Sequence, residues 1–325
     1  MGGLARRATI IRDLKKEGKA LLTFDAGNSL FTGRGSPSSK DREKARLIAM
    51  AYRRMGYQAV NLGSYDLAAG IEFLKDLQKE TLVPFLSANL LEKEGGQPVF
   101  KSHVVLDAEG MRVGLLGLTS DAQQNRGVTP EGYFVSDPLS AAKRLAAELG
   151  KDCDIIVALS NFNSFEEYTK LVQQVKEIHL IFGSGGRGYS HQTLWSDGGW
   201  QALLFHLYPK GQYLGRIDLK VVQGGRNFVD LSRKVQLEKQ ITSIERQLES
   251  YRKGTGRAKS IPQHKREEYI VRLEDFKKRT DAQLEALERE SRRKSTFLNT
   301  TIRLDDKVRD DPEIKELVGR FKMGS

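Results

Sequence analysis

Four short stretches decide the fold: Asp25-Ala26-Gly27-Asn28, Gly63-Ser64-Tyr65-Asp66, Leu159-Ser160-Asn161 and Gly183-Ser184-Gly185-Gly186-Arg187. Each follows an apolar run of the kind that fills a buried strand, respectively Ala20–Phe24, Ala59–Leu62, Ile155–Ala158 and Leu180–Phe182. Glycine and small polar residues directly after such a run mark a loop. In open α/β sheets ligands bind outside the carboxyl ends of the strands. The four loops are therefore read together, as one candidate site at one end of a sheet.

Outward from these loops, strand and helix alternate. An amphipathic helix over Leu4–Lys16 precedes a strand over Lys19–Asp25, and a Gly/Ser-rich loop from Thr32 to Ser39 leads into a helix with Ala45, Ile48, Ala49 and Tyr52 on its apolar stripe. Helices over Gly70–Gln78 and Pro138–Leu149 and a strand over Val83–Ser87 continue the pattern. From Gln192 to Val235 the period becomes two, with turns at Asp197-Gly198-Gly199, Pro209-Lys210-Gly211 and Gln223-Gly224-Gly225, which predicts antiparallel strands.

Beyond Leu237 the character changes. Leu237, Ile241, Ile244, Leu248 and Tyr251 repeat at alternating four and three, the seam of a coiled coil. Lys253-Gly254-Thr255-Gly256 breaks that helix, and a second seam runs through Tyr269, Leu273, Phe276, Thr280, Leu284 and Leu287. Two such helices around a short loop predict an antiparallel hairpin over 236–294, able to fold back, dock or self-associate. Phe297–Leu304 then reads as a strand. Asp311-Pro312 reads as the cap and first residue of a short helix. The predicted organisation is thus a body over 1–235, a hairpin over 236–294 and a strand with a short helix over 295–325.

Composition bounds the rest. A chain of 325 residues can bury a sizeable core. No apolar run approaches the roughly 20 residues of a membrane span, and Met1-Gly2-Gly3 leads into a polar helix without a signal-peptide h-region. The single Cys153 excludes an internal disulfide and a cysteine metal knuckle. Its neighbours Asp152 and Asp154 would raise a thiol pKa, which argues against a catalytic thiolate. The five histidines, His103, His179, His191, His206 and His264, are not spaced as metal ligands. From residue 231 onward there are 24 basic against 17 acidic side chains, over half of the net charge of +11. Without interleaved aromatics or a nucleic-acid motif, these charges read as solvated helix faces with pairs such as Glu274–Lys278 rather than as a nucleic-acid surface.

In order and spacing, seven pieces resemble the 5'-nucleotidase/cyclic-phosphodiesterase branch of the calcineurin-like metallophosphoesterases: Gly2–Arg6, Phe24–Gly33, Leu62–Gly70, Ser87-Ala88-Asn89, Arg112–Thr119, the Gly183 loop and Tyr213–Leu219. The resemblance runs to about Val222 and implies an α/β fold, a metallophosphoesterase-like αββα sandwich, here followed by the C-terminal antiparallel hairpin. In that family the four loops read DAGD, GNH(D/E), LSH and GHSH and hold two metal ions. Here Asn28 stands for the bridging carboxylate, Ser64 and Tyr65 for an Asn ligand and a catalytic His, and Asn161 for a ligand His. Gly185 and Arg187 stand for the two His of GHSH. A neutral amide bridges hard dications poorly, and a guanidinium repels them. The resemblance also implies that the family's opening strand, with its DxHG motif, would precede Met1, and it carries an expectation of export or a periplasmic home.

Three functional readings follow. In the first, the domain is catalytically silent, with Asp25, Asn28, Ser64, Tyr65, Asp66 and Asn161 as a vestigial site and no metal or other cofactor. It would act as a binding or assembly module through the hairpin. Ser184, Gly185, Gly186 and Arg187 would offer converging N–H groups and a guanidinium to a small anion or a nucleotide phosphate. In the second, the protein is a working phosphohydrolase of nucleotide catabolism whose metals use Asp25, Asp66 and residues upstream. In the third, a thiol or selenol upstream of Met1 performs redox work.

Overall fold

The computed structural model describes residues 3–32, 35–120, 130–184, 190–199, 201–207, 211–222, 225 and 227–323. It divides into two compact units, Met1–Gly215 with Thr301–Ser325, and Arg216–Thr300.

Among the described residues, the first unit has two main sheets and a two-stranded one. Strands β1 (Phe24–Asp25), β2 (Ala59–Asn61) and β3 (Phe85–Leu86) form a parallel sheet in that order. A short pair, β4 (Leu90–Glu92) with β7 (Tyr133–Val135), lies apart. The larger sheet contains β5 (His103–Ala108), β6 (Met111–Leu118), β8 (Ile155–Ser160), β9 (Leu180–Gly183), β10 (Ser190–Trp195) and β11 (Gln201–His206). Its order is β10-β11-β9-β8-β6-β5, antiparallel only at its two edges.

Helices α1 (Leu4–Lys15), α2 (Ser39–Met55), α3 (Ile71–Thr81) and the C-terminal α8 (Pro312–Met323) share one core with the smaller sheet, through Ile11, Tyr52, Leu74, Val60, Phe85 and Ile314. Helices α4 (Pro138–Leu149) and α5 (Phe165–Gln174) cover the outer face of the larger sheet through Leu145, Tyr168, Ile156 and Ile181. Between the sheets, the Phe24 and Phe182 rings meet edge to face at 4.8 Å. Asn61 donates from β2 to the Leu118 carbonyl of β6 at 3.1 Å. The layers therefore run helix, sheet, sheet, helix, the αββα arrangement.

Local chemistry explains the element ends. Ser38 with Asp41 and Ser164 with Glu167 form capping boxes on α2 and α5. Asp311 caps α8 by accepting from the Ile314 N–H at 3.1 Å, with Pro312 at the first helical position, as the sequence predicts. Two readings need correction. The strand expected over Lys19–Asp25 shrinks to Phe24–Asp25, because Gln58 Oε1 takes the Thr23 N–H at 2.6 Å outside the ladder. The period-two region is not uniformly antiparallel: β11 runs parallel to β9, and Ser232 to Val235 already belong to a helix.

A buried ionic chain ties α1 to the first loop. Arg7 donates to the Tyr52 and Tyr57 hydroxyls at 3.1 and 3.3 Å, and Tyr52 donates to Asp25 Oδ2 at 2.9 Å. Burial with the nearby Asp25 charge pushes the Tyr52 phenol well above its ordinary pKa. The network is thus a guanidinium and a carboxylate joined through neutral phenols.

The chain enters the second unit along β12 (Tyr213–Lys220). In this unit β13 (Phe228–Asp230) pairs in parallel with the start of β14 (Ser295–Arg303). Helices α6 (Ser232–Lys253) and α7 (Gln263–Arg293) pack antiparallel, as the ion pairs Lys234–Glu288, Glu245–Lys277 and Arg252–Glu274 fix. Leu237, Ile244 and Leu248 are buried as predicted. On α7, Leu273, Thr280, Leu284 and Leu287 keep the predicted inner positions, whereas Phe276 is 46 % exposed and Tyr269 43 %, with Lys277 taking the inner position between Glu245 and Asp281. Glu274 pairs with Arg252 across the hairpin rather than with Lys278. Among the described residues, no helix is long and apolar enough to cross a membrane.

Candidate functional site at the strand ends

The loops after β1, β2, β6 and β8 converge, and the convergence is built from hydrogen bonds. Asn28 adopts a left-handed backbone (φ 57°), which turns its side chain back across the loop after β2. There its Oδ1 accepts from the Tyr65 N–H at 3.0 Å. Asp66, fully buried, accepts from four backbone N–H groups: Asn28 at 2.8, Gly63 at 2.9, Leu30 at 3.1 and Phe31 at 3.3 Å. One carboxyl thus clamps the loop after β1 to the loop after β2. Burial lifts its pKa to about 7, against the pull of those N–H donors, with nearby Asp25 adding to the rise.

The β8 loop joins on the other side. Asn161 donates through Nδ2 to Ser64 Oγ at 3.2 Å and accepts through Oδ1 from the Ser120 N–H at 2.8 Å; Ser64, Ser120 and Asn161 are all buried. Asn28, Ser64, Tyr65, Asp66 and Asn161 are therefore brought together, as the four-loop reading expects. Asp25 departs from this group. Its carboxylate accepts from Gly27 N–H and from Tyr52, so it serves the α1–α2 side.

Ser184 lies at the end of β9, where its N–H donates to the Ser160 carbonyl at 2.9 Å. Its hydroxyl is buried without a partner among the described residues. Gly185, Gly186 and Arg187 lie outside the described residues.

Several contributors escape the sequence reading. Asn61 ties β2 to the Ala26 and Leu118 carbonyls, at 2.9 and 3.1 Å. Asn89 exchanges bonds with Thr119, its Nδ2 donating at 2.7 Å and its Oδ1 accepting at 2.9 Å. Thr119 donates to the Leu62 carbonyl at 2.8 Å and accepts from the Ser87 hydroxyl at 2.7 Å. The available signal was a polar residue at each strand end, Asn61, Ser87, Asn89 and Thr119, where an apolar residue would otherwise extend the strand. Among the described residues, no group of three or more His, Cys, Asp or Glu is placed to hold a metal ion.

The 5'-nucleotidase of Vibrio parahaemolyticus serotype O3:K6 is 30% identical over 189 residues, which cover 55% of this chain and 32% of that protein. A solved structure of a 5'-nucleotidase precursor from Thermus thermophilus superposes with a TM-score of 0.61 at 22% identity, over 68% of this chain and 46% of that one. The calcineurin-like phosphoesterase YfkN of Bacillus subtilis gives a TM-score of 0.54 at 20% identity, over 68% of this chain and 78% of that one. In sequence and in fold, the chain is similar to the 5'-nucleotidase-like branch of the calcineurin-like phosphoesterases. No family model matches it. This 5'-nucleotidase-like chain spans about a third of the length of the curated relatives it matches. The sequence likeness covers about half of this chain, and the structural likeness carries the αββα arrangement of the body.

Proposed function

We propose that this 5'-nucleotidase-like protein is catalytically silent and works as a binding or assembly module. Residues 1–235 would serve as the body and the 236–294 hairpin as the contact element. One observation carries the reading: among the described residues, the groups at the family's ligand positions, and the Asp66 carboxyl beside them, are already committed to the protein itself. The Asn28 amide oxygen holds the Tyr65 N–H, Ser64 and Asn161 hold each other, and Asp66 holds four backbone N–H groups. A hard dication needs oxygen ligands free to turn toward it, preferably charged ones. Two-metal hydrolysis needs a pair of ions about 3.5–4 Å apart. This donor set does not fit such a centre.

The expected result is no hydrolysis of AMP or an aryl phosphate above background with manganese, zinc or cobalt supplied, together with far less than one metal per chain after dialysis. Near-stoichiometric metal, with turnover that Asn28→Ala abolishes, would establish the working-phosphohydrolase reading instead. The Ser184 hydroxyl, buried without a partner among the described residues, supports a second role, weak capture of phosphate or a nucleotide phosphate by the loop from Ser184 to Arg187. Calorimetry with phosphate and AMP should then give a weak signal that Arg187→Ala removes, and identical heats from both proteins would reject that role.

A further inference from the structure

The outer side of α7 carries a second regular stripe beside the one that packs on α6. At about 3.6 residues per turn, Lys265, Tyr269, Arg272, Phe276, Arg279 and Gln283, spaced alternately by four and three, fall on one line. The hairpin's cross-helix ion pairs lie on the side facing α6, through Lys277, and on the opposite flank, through Glu274 and Glu288. The stripe faces solvent, with Tyr269 and Phe276 each more than two fifths exposed and the three basic residues exposed as well. Stacking on Tyr251 at 5.4 Å holds the Tyr269 ring in place. Asp275 and Glu268 lie one row further round, yet among the described residues no ion pair joins them to Arg272 or Arg279.

The order of residue types along this stripe is the informative part. Aromatic or amide residues (Tyr269, Phe276, Gln283) alternate strictly with cations (Lys265, Arg272, Arg279). Two helices packed in antiparallel register place each residue of one set against a residue of the other set. With α7 laid antiparallel on a second α7, Tyr269 meets Arg279 of the second copy, Phe276 meets Arg272 of the second copy, and Gln283 meets Lys265 of the second copy. The two-fold axis repeats each contact in reverse. A parallel pairing would instead stack Arg on Arg and Phe on Phe. Arginine over an aromatic face is attractive, and more so as water leaves. A two-fold interface requires one patch to be complementary to itself, and this stripe is.

We propose that two copies of the chain associate through α7 stripes in antiparallel register, giving a four-helix junction from two hairpins. The proposal rests on the hairpin being a contact element and gives that element its partner, a second copy.

Sedimentation velocity on the full chain at about 100 μM should show a dimer, dissociating with Kd in the micromolar range. Phe276→Ala and Arg272→Glu should each weaken it at least about tenfold, whereas Lys278→Ala, on the other flank, should leave it unchanged. In a Cys153→Ser background, mixing Arg272→Cys with Phe276→Cys should give a mixed disulfide faster than either variant links to itself. A wild type monomeric at that concentration, a dimer indifferent to both stripe variants, or preferential Phe276→Cys self-linking would each overturn the proposal. Hydrolysis assays on the same preparations separate the two ideas: an inactive monomer refutes the pairing and leaves the silent-site reading standing.

Discussion

Replacing Asp66 by alanine is expected to cost about 3–5 kcal/mol of folding stability, because four buried N–H groups lose their acceptor at once. Asp66→Asn keeps the shape but turns an NH2 group toward some of those donors, and should cost about half as much. The clamp also has a pH signature. With its pKa raised from 3.8 to about 7, the folded protein holds this proton more tightly than the unfolded chain does. The contribution is full below pH 3.8 and is lost as pH rises through 7, a decline on the order of 4 kcal/mol between those limits. His206, whose imidazole burial holds below its ordinary pKa, works in the opposite sense and is lost as pH falls below 6.5. Urea midpoints at several pH values, taken as wild type minus Asp66→Asn, cancel the histidine. A difference that stays flat from pH 4 to 7 would mean the carboxylate is ionised throughout and the N–H donors outweigh burial.

The clamp was only half legible in the sequence, and the reason is physical. Asp66 stood out as a carboxylate after a buried strand, but three of its four partners lie on a loop 35 to 38 residues earlier, and no local pattern encodes that pairing. The same holds for Asn61, Asn89 and Thr119, whose hydrogen bonds span 30 residues or more. What local chemistry dictates was readable: the Asp311-Pro312 cap, the strand-then-glycine loops and the α6 seam. On α7 the predicted seam held at Leu273, Thr280, Leu284 and Leu287 but failed at Tyr269 and Phe276, where at the second of them Phe276 and Lys277 compete for the inner position. The longer lysine takes it, its ammonium reaching both Glu245 and Asp281. The aromatic left outside has become part of a second stripe. The order of strands and helices followed from hydrophobic periodicity and the αββα arrangement from the family resemblance, while the site depends on polar contacts between distant segments.

Gly63 tests how tightly the site is closed. A Cβ added there would fall 2.1 Å from Asn28 Oδ1 and 2.7 Å from the Asn28 backbone nitrogen, both far inside contact distance. Neither atom can retreat cheaply. The nitrogen is held by Asp66 Oδ2 at 2.8 Å, and the amide oxygen by the Tyr65 N–H at 3.0 Å. Gly63→Ala is therefore expected to cost on the order of 3 kcal/mol or more and to loosen the loops after β1 and β2 together. Asn28→Gly in the same chain removes the side-chain overlap but leaves the backbone one, so rescue should be partial, roughly a third to a half of the loss. Chemical denaturation of the two single variants and the double variant reads the coupling directly. If Gly63→Ala were neutral, the loops would have slack between them, and the ligand positions at the strand ends would be free to open toward an ion after all. If the loss is large and only partly rescued, Asn28 occupies the space over Gly63 as a structural wedge, and its amide serves the fold.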